Sequence, residues 1–479
     1  MTTSTKRIAI EPLSRVEGHG KVTIHLDPDG RVVDAKLHIV EFRGFERFIQ
    51  GRPYWELPVL VQRLCGICPV SHHLCAAKAV DIIAGRAQLT PTGEKMRRLM
   101  HYGQMLQSHA LHFFHLSSPD LLFGFEAPRD KRTVTEVIRA HPDLAKQGVL
   151  LRKYGQEIIL ATAGKKVHGT GAIPGGINKN LRPEERDSLL HEIETILGWA
   201  ESSVSLARDY TLEHLEQLAG FGAFPSNHVA IVGPNGEMDL YDGKLRAVDA
   251  EGRILADQLD PMDYLDYLAE EVRSWSYMKF PFLTEFGPER GWYRVGPLAR
   301  LNVCTRIDTP RAETRRQEFQ SHLGSVCNVT MAYHWARMVE MLHAAEKIEQ
   351  LLRDPDLQSM DLVAPVSQPS RRSVAVLEAP RGTLLHHYEV NEHDQVTKAN
   401  LIVSTTHNNE AMNRTVRRIA EDHLSGRKEL TESLLNNVEV GIRAYDPCLS
   451  CATHALGQMP LHVALLDASG AMIDERSRE

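Results

Sequence analysis

Near the N-terminus apolar and polar residues alternate, and further on the spacing becomes helical. Lys21–Leu26 and Val32–Val40 are alternating or β-branched runs on either side of Asp27-Pro-Asp-Gly30, a turn sequence, so together they predict a hairpin. Two short runs within Leu240–Leu259, parted by Glu251-Gly252, predict another. Gly93–Leu116, Pro183–Leu218 and Arg311–Leu352 are rich in Leu, Ala, Glu and Arg and almost free of Gly and Pro, which predicts long helices. Long helices with one apolar face bury it by packing together. The expected fold is therefore α+β and mainly helical, a central long-helix bundle with small peripheral β-sheets. No internal repeat or low-complexity segment is evident.

Composition narrows the functional classes. With 479 residues, 42% of them hydrophobic, the chain can bury a large core. A net charge of −7 with no long basic tract (Arg371-Arg372 is too short) gives no general attraction to nucleic acid. The N-terminal MTTSTKRIAIEPL lacks the apolar run of a secretory signal, and no apolar stretch is long enough to span a bilayer. A cytoplasmic protein with no membrane span is expected. Seven cysteines are few for this length and odd in number, which favours thiols that bind metal or do redox chemistry over a disulfide framework.

The strongest chemical signal is Cys65-Gly-Ile-Cys68, answered near the other end of the chain by Cys448-Leu-Ser-Cys451. Two residues between cysteines let the chain turn so that both sulfurs reach one ion. The pairs are too far apart in sequence for a compact zinc ribbon. Spacing alone leaves open a structural zinc built from both ends, two unrelated redox or buried pairs, or one shared redox centre. Pro69 and SHHLCAAKAVDIIAG after Cys68 read as a helix, which puts Cys68 at a helix N-terminus where a thiol ionises more easily. Cys75 lies two turns further on, too far to join the same ion, and reads as packing; Cys304 and Cys327 read as buried thiols. Four thiolates suit zinc or iron, and softness does not separate nickel from them.

The flanks of the pairs are more specific. Arg63-Leu-Cys-Gly-Ile-Cys-Pro-Val-Ser-His72 resembles the RxCGICxxxH signature of nickel–iron hydrogenase large subunits, and Asp446-Pro-Cys-Leu-Ser-Cys-Ala-Thr-His454 resembles their DPCxxCxxH signature. Arg15-Val-Glu-Gly-His19, Arg43-Gly-Phe-Glu46, His112-Phe-Phe-His-Leu116 leading to Asp120, Glu378-Ala-Pro-Arg-Gly382 and Val403-Ser-Thr-Thr-His-Asn408 follow in the family's order, so the resemblance spans the chain. YRVGPLARLNVC, EAPRGTLLHHY and DPCLSCATHALGQMPL look most like cytoplasmic, NAD-linked bidirectional hydrogenases.

The resemblance implies a nickel held by Cys65, Cys68, Cys448 and Cys451, with Cys68 and Cys451 bridging to an iron that carries cyanide and carbon monoxide. It implies that Pro380, Arg381 and Thr405 surround those iron ligands, and that Asp120 and Asp446 orient Arg381. Heterolytic cleavage of H2 would leave a proton on a thiolate, Cys448, and Glu17 would relay it outward. Glu46, the carbonyl of Leu401 and His454 match ligands of a buried Mg2+. Residues 1–454 are expected to form one intertwined catalytic domain. Residues 455–479 would be an extension that a maturation endopeptidase removes after metal-insertion proteins have acted; MPLHVALLD–ASG–AMIDE within it also reads as an ordinary hairpin. No further cysteine cluster could hold iron–sulfur centres and no GxGxxG loop appears, so the implied partners are an iron–sulfur small subunit together with a flavin-containing diaphorase that binds NAD. Two rivals remain: a complex I-like quinone-reductase or structural subunit, which would lack the nickel ligands, and a zinc-stabilised scaffold.

Overall fold

The computed structural model describes residues 6–11, 13–42, 44–427, 431–453, 461–466 and 472–478. The expected helical bundle is present. Its members Pro91–Leu111, Pro142–Ala163 and Pro183–Glu213 each begin with proline in the first turn, where its missing N–H costs nothing. Tyr333–Leu352 runs through the middle and is buried on nearly every side. Pro91–Leu111 and Pro142–Ala163 approach at Gly103 and Gly155, where a Cβ on Gly155 would fall 2.5 Å from the Gly103 carbonyl oxygen.

Three of the expected helices have different limits. Pro91–Leu111 continues into a wider π-helical turn, His112–Ser117, and then Ser118–Phe123, which carries Asp120. Pro183–Glu213 stops at His214 and resumes as Leu215–Gly220. The long run from Arg311 divides into Pro310–Leu323 and Tyr333–Leu352, because Gly324 takes a φ of 87° and ends the first helix.

The sheets lie around this bundle. Lys6–Ile10, Gly20–Leu26 and Val32–Ile39 form an antiparallel sheet, with Asp27 accepting from the N–H groups of Asp29 and Arg31 in the predicted turn. Lys244–Val248 and Ile254–Leu259 pair as expected, in a four-stranded sheet with Asn227–Val232 and Tyr293–Arg294. A third sheet, Arg372–Ala379, Gly382–Val390 and Val396–Ile402, packs on the helix Pro69–Ile83. Its first two strands are joined by only Pro380-Arg381, which puts Arg381 at a hairpin tip. Beyond 453, the strands Leu461–Leu466 and Met472–Arg478 pair antiparallel, the hairpin read from the sequence. One continuous apolar core runs from Leu13 to Ala452, so both cysteine pairs sit in the same interior.

Candidate metal centre

Each cysteine pair is set by a short local structure. Cys65 ends the 3-10 turn Val61–Leu64 in an extended conformation, and Cys68 caps the helix Pro69–Ile83, as its sequence predicted. The Cys65 sulfur faces the N–H groups of Ile67 (3.3 Å) and Cys68 (3.1 Å), donors suited to a thiolate. Cys448 opens the turn Leu449–Ala452 that carries Cys451, and its N–H donates to the Thr405 hydroxyl at 3.0 Å. The N-terminal segment completes the arrangement: Glu17 bridges to Cys448 and its carbonyl accepts from the Leu449 N–H. Gly18 must be glycine there, since its φ is 84° and a Cβ would lie 2.7 Å from the Ser450 nitrogen.

The four sulfurs meet. Cys65 lies 3.4 Å from Cys448 and 3.0 Å from Cys68, and Cys448 lies 2.8 Å from Cys451. All four fall within 4.8 Å of one another and all are buried, close to the spread of sulfurs each about 2.3 Å from a shared ion. The sulfurs are not disulfide-bonded. Hydrogen bonding with the neighbouring Cys448, Cys451 and Cys65 sulfurs holds Cys68 well below the ordinary thiol range. Burial, then the crowding of neighbouring sulfurs, pushes Cys448 well above it; burial also raises Cys451. Four thiolates cannot coexist here without a cation, and a bound metal supplies that charge. The donor set fits one.

Glu17 stands beside this cluster. Its Oε2 accepts from the Cys448 thiol at 2.9 Å and from the Ser450 N–H at 3.2 Å, and its Oε1 accepts from the Ser450 hydroxyl. Ser450 is a residue the sequence reading passed over, although it lies inside the second cysteine motif. A cavity beside the cluster is lined by Cys68, Cys448, Cys451, Pro380, Arg381 and Thr405, with Val403 next to them. Arg381 donates through Nε to the Asp446 carbonyl (2.6 Å) and through Nη2 to its carboxylate (3.2 Å). The remaining Arg381 nitrogen, Nη1, and the other Asp446 oxygen have no partner among the described residues. Burial alone would lower the Arg381 guanidinium, but Asp446 and the sulfurs of Cys448, Cys68 and Cys65 outweigh it and push it well above its ordinary value.

Asp446 orients Arg381, but the bonds of Asp120 go elsewhere: to Arg15 at 2.5 Å, Arg443 at 2.7 Å and Asn436 at 3.2 Å. The reason is proximity, since Arg15 from the N-terminal loop and Arg443 from the helix Glu432–Ala444 surround it. Glu46 and Leu401 meet, but through the Leu401 N–H, which donates to Glu46 at 2.8 Å. His454 and Arg43 lie outside the described residues. Cys75, Cys304 and Cys327 are buried away from the cluster, as expected, and Cys75 donates to the Ala375 carbonyl at 3.4 Å.

Residues 43–138 and 249–454 match the family model described as nickel-dependent hydrogenase, and residues 7–42 match one described as HoxL-like. The chain is 51% identical to the NAD-reducing hydrogenase HoxS subunit beta of Cupriavidus necator, over 99% of this chain and 100% of that protein. It is 40% identical to one of the subunits of the F420-non-reducing hydrogenase of Methanothermobacter marburgensis, over 98% and 99%. A solved NAD+-reducing [NiFe]-hydrogenase in the H2-reduced state superposes with a TM-score of 0.92 at 57% identity, covering 95% of this chain and 100% of that one. The chain belongs to the nickel-dependent hydrogenase family, in which it is a catalytic large subunit that acts on H2. Retention of all four cysteines sets aside a complex I-like subunit without nickel.

Proposed function

We propose that this chain cleaves and forms H2 heterolytically at a nickel–iron pair held by Cys65, Cys68, Cys448 and Cys451, within a complex that exchanges the electrons with NAD. The observation that carries the reading is the meeting of two distant thiol pairs in one buried cluster, with a carboxylate 2.9 Å from one sulfur. The bound metals would supply the acceptor for the electron pair of H2. The Cys448 sulfur takes the proton, and Glu17 receives it from there. Ser450 holds the Glu17 carboxylate through both its N–H and its hydroxyl, so the acceptor waits in place.

Cys68 and Cys451 would also hold the iron, with its cyanide and carbon monoxide ligands in the cavity that both of them line together with Cys448. The unpaired Nη1 of Arg381 supports this, as a charged donor for an anionic ligand beside apolar Pro380 and Val403; the Thr405 hydroxyl can add a second donor. Glu46, the carbonyl of Leu401 and His454 would hold Mg2+; the bond from the Leu401 N–H to Glu46 supports this by bringing those two residues side by side. Residues 1–454 would act as one domain, and removal of 455–479 would follow metal insertion. Among the described residues no helix is long and apolar enough to cross a membrane, which is consistent with a cytoplasmic complex. By similarity to the NAD-reducing relatives, the partners are an iron–sulfur subunit together with a flavin diaphorase. The test is to purify the complex, measure metals and follow H2-dependent reduction of NAD+. One nickel and one iron with NADH formation is expected; zinc in their place would overturn the reading. Intact mass of the active large subunit tests removal of the tail, and a full-length active chain rules it out.

A further inference from the structure

Two charged residues within the family-like segments have no part in that chemistry: Glu378 of EAPRG and Arg300 of YRVGPLARLNVC. We infer that Arg300, braced by Glu340 and Glu378, is the positioning residue that fixes the Pro380-Arg381 tip against the metal cluster. The inference rests on the reading of Arg381 given under Proposed function.

Arg300 lies on the helix Pro297–Val303 and is 1% exposed. Its nitrogens make five hydrogen bonds, the number of N–H groups a guanidinium owns. Nε and Nη2 grip both oxygens of Glu340, each at 2.6 Å. Nη1 donates to Glu378 at 2.6 Å and to the Ala379 carbonyl at 3.0 Å, and Nη2 also reaches the Pro380 carbonyl at 3.3 Å. The last two acceptors are the backbone immediately before Arg381. Both carboxylates are themselves braced. His109 bonds Glu340 at 2.7 Å, and the Ile231 N–H and the Thr383 hydroxyl bond Glu378 at 3.0 and 2.7 Å.

The other side of the tip is walled by the residues just ahead of Arg300. A Cβ on Gly296 would lie 2.8 Å from the Arg381 carbonyl oxygen, and one on Gly382 would lie 2.2 Å from Val295. The segment 295–300 therefore holds the tip from both sides, backbone on one and guanidinium on the other. A buried ion triad often adds little net stability over apolar packing of the same volume. What this one supplies is geometry: with its bracing partners it ties three strands, three helices and the tip in one fixed arrangement. Placement matters because Arg381 acts through a single free nitrogen, and a shift of about 1 Å in such a group can cost on the order of a hundredfold in rate.

Arg300→Lys tests this in the purified complex. A lysine keeps the charge but has three donors on a point centre, too few for both carboxylates and both carbonyls. The expected variant retains nickel and iron, turns over H2 about ten- to a hundredfold more slowly, and shifts the infrared stretching bands of the iron's carbonyl and cyanide ligands. A fully metallated variant with wild-type bands and wild-type turnover overturns the inference, even if its melting temperature falls. If Arg300→Lys does not accumulate, Glu378→Gln carries the same readouts and the same decision. Absence of nickel or of ligand bands in the wild-type complex would instead sink the Proposed function, so the two failures are distinguishable.

Discussion

In the helical bundle, Gly155 and Gly103 let two helices touch backbone to backbone, and Gly148 makes room for the Phe114 side chain, whose Cβ would lie 2.4 Å from a Cβ added there. At the metal centre, by contrast, four separate segments meet through hydrogen bonds and charge: Glu17 on Cys448 and Ser450, Thr405 on Cys448, Asp446 on Arg381. Position in the bundle is set by volume, where close packing punishes added atoms. Position at the centre is set by polar partners that are buried, or half-buried in the case of Glu17, and that bond one another in place of water. The two regions should therefore fail differently when altered, one in stability and the other in chemistry.

The largest effect is expected from Cys451→Ser. A serine hydroxyl stays protonated and is a hard donor, so the soft-metal set is broken. Elemental analysis should find nickel lost and H2 turnover abolished, while circular dichroism keeps the helical signal of the wild type. A variant that retains nickel and turns over would show that the four sulfurs do not act as one site. Glu17→Gln comes next. The amide keeps its shape and can still bond Ser450 but cannot take a proton, so turnover and H/D exchange should fall about a hundredfold or more at unchanged metal content. Unchanged exchange in a fully loaded protein would remove Glu17 from the proton path.

Gly155→Ala probes the other side of the comparison. The new methyl meets the Gly103 carbonyl at 2.5 Å and the Gln107 side chain at 2.8 Å, and backbone cannot step aside cheaply. A loss of about 1–3 kcal/mol is expected, read as a lower denaturation midpoint, with turnover per nickel preserved. Loss of activity per nickel at full stability would mean that the bundle tunes the centre and does not merely carry it.

The sequence exposes these regions unequally. The cysteines, Glu17, Arg381 and Thr405 were legible because they stand in spaced motifs whose chemistry is recognisable. Arg300 and Glu340 were not, because a single charge in a helical pattern reads as a solvated face until burial is known. The helix Pro142–Ala163 escaped notice for a related reason: Gly148 and Gly155 weaken its local signal, and only the partner helix explains them. The strands Arg372–Ala379 and Gly382–Val390 are buried almost throughout, so they lack the alternation that betrays a half-exposed strand. Glu46 was legible as an acid in a motif, yet its bond to the Leu401 N–H follows from sheet packing that spacing cannot convey.

The smallest effect concerns acid, and it separates the regions again. His101 and His343 are buried in the bundle on facing helices, and burial pushes each down to about 4. His101 is held neutral with one ring nitrogen on the Leu240 carbonyl at 2.9 Å, and His343 bonds the Thr309 hydroxyl at 2.9 Å. An unfolded histidine titrates near 6.5. Between that value and about 4 the unfolded chain therefore binds more protons than the folded one, and stability must fall as pH falls through this window. Each such histidine adds up to about 1.4 kcal/mol per pH unit to the slope. His101→Gln retains an amide donor for Leu240 but does not titrate. Its unfolding midpoint should thus depend less on pH between 6.5 and 4.5 than the wild type's, with turnover per nickel unchanged at neutral pH. An unaltered slope would place the acid sensitivity outside this histidine, in other titrating groups of the chain.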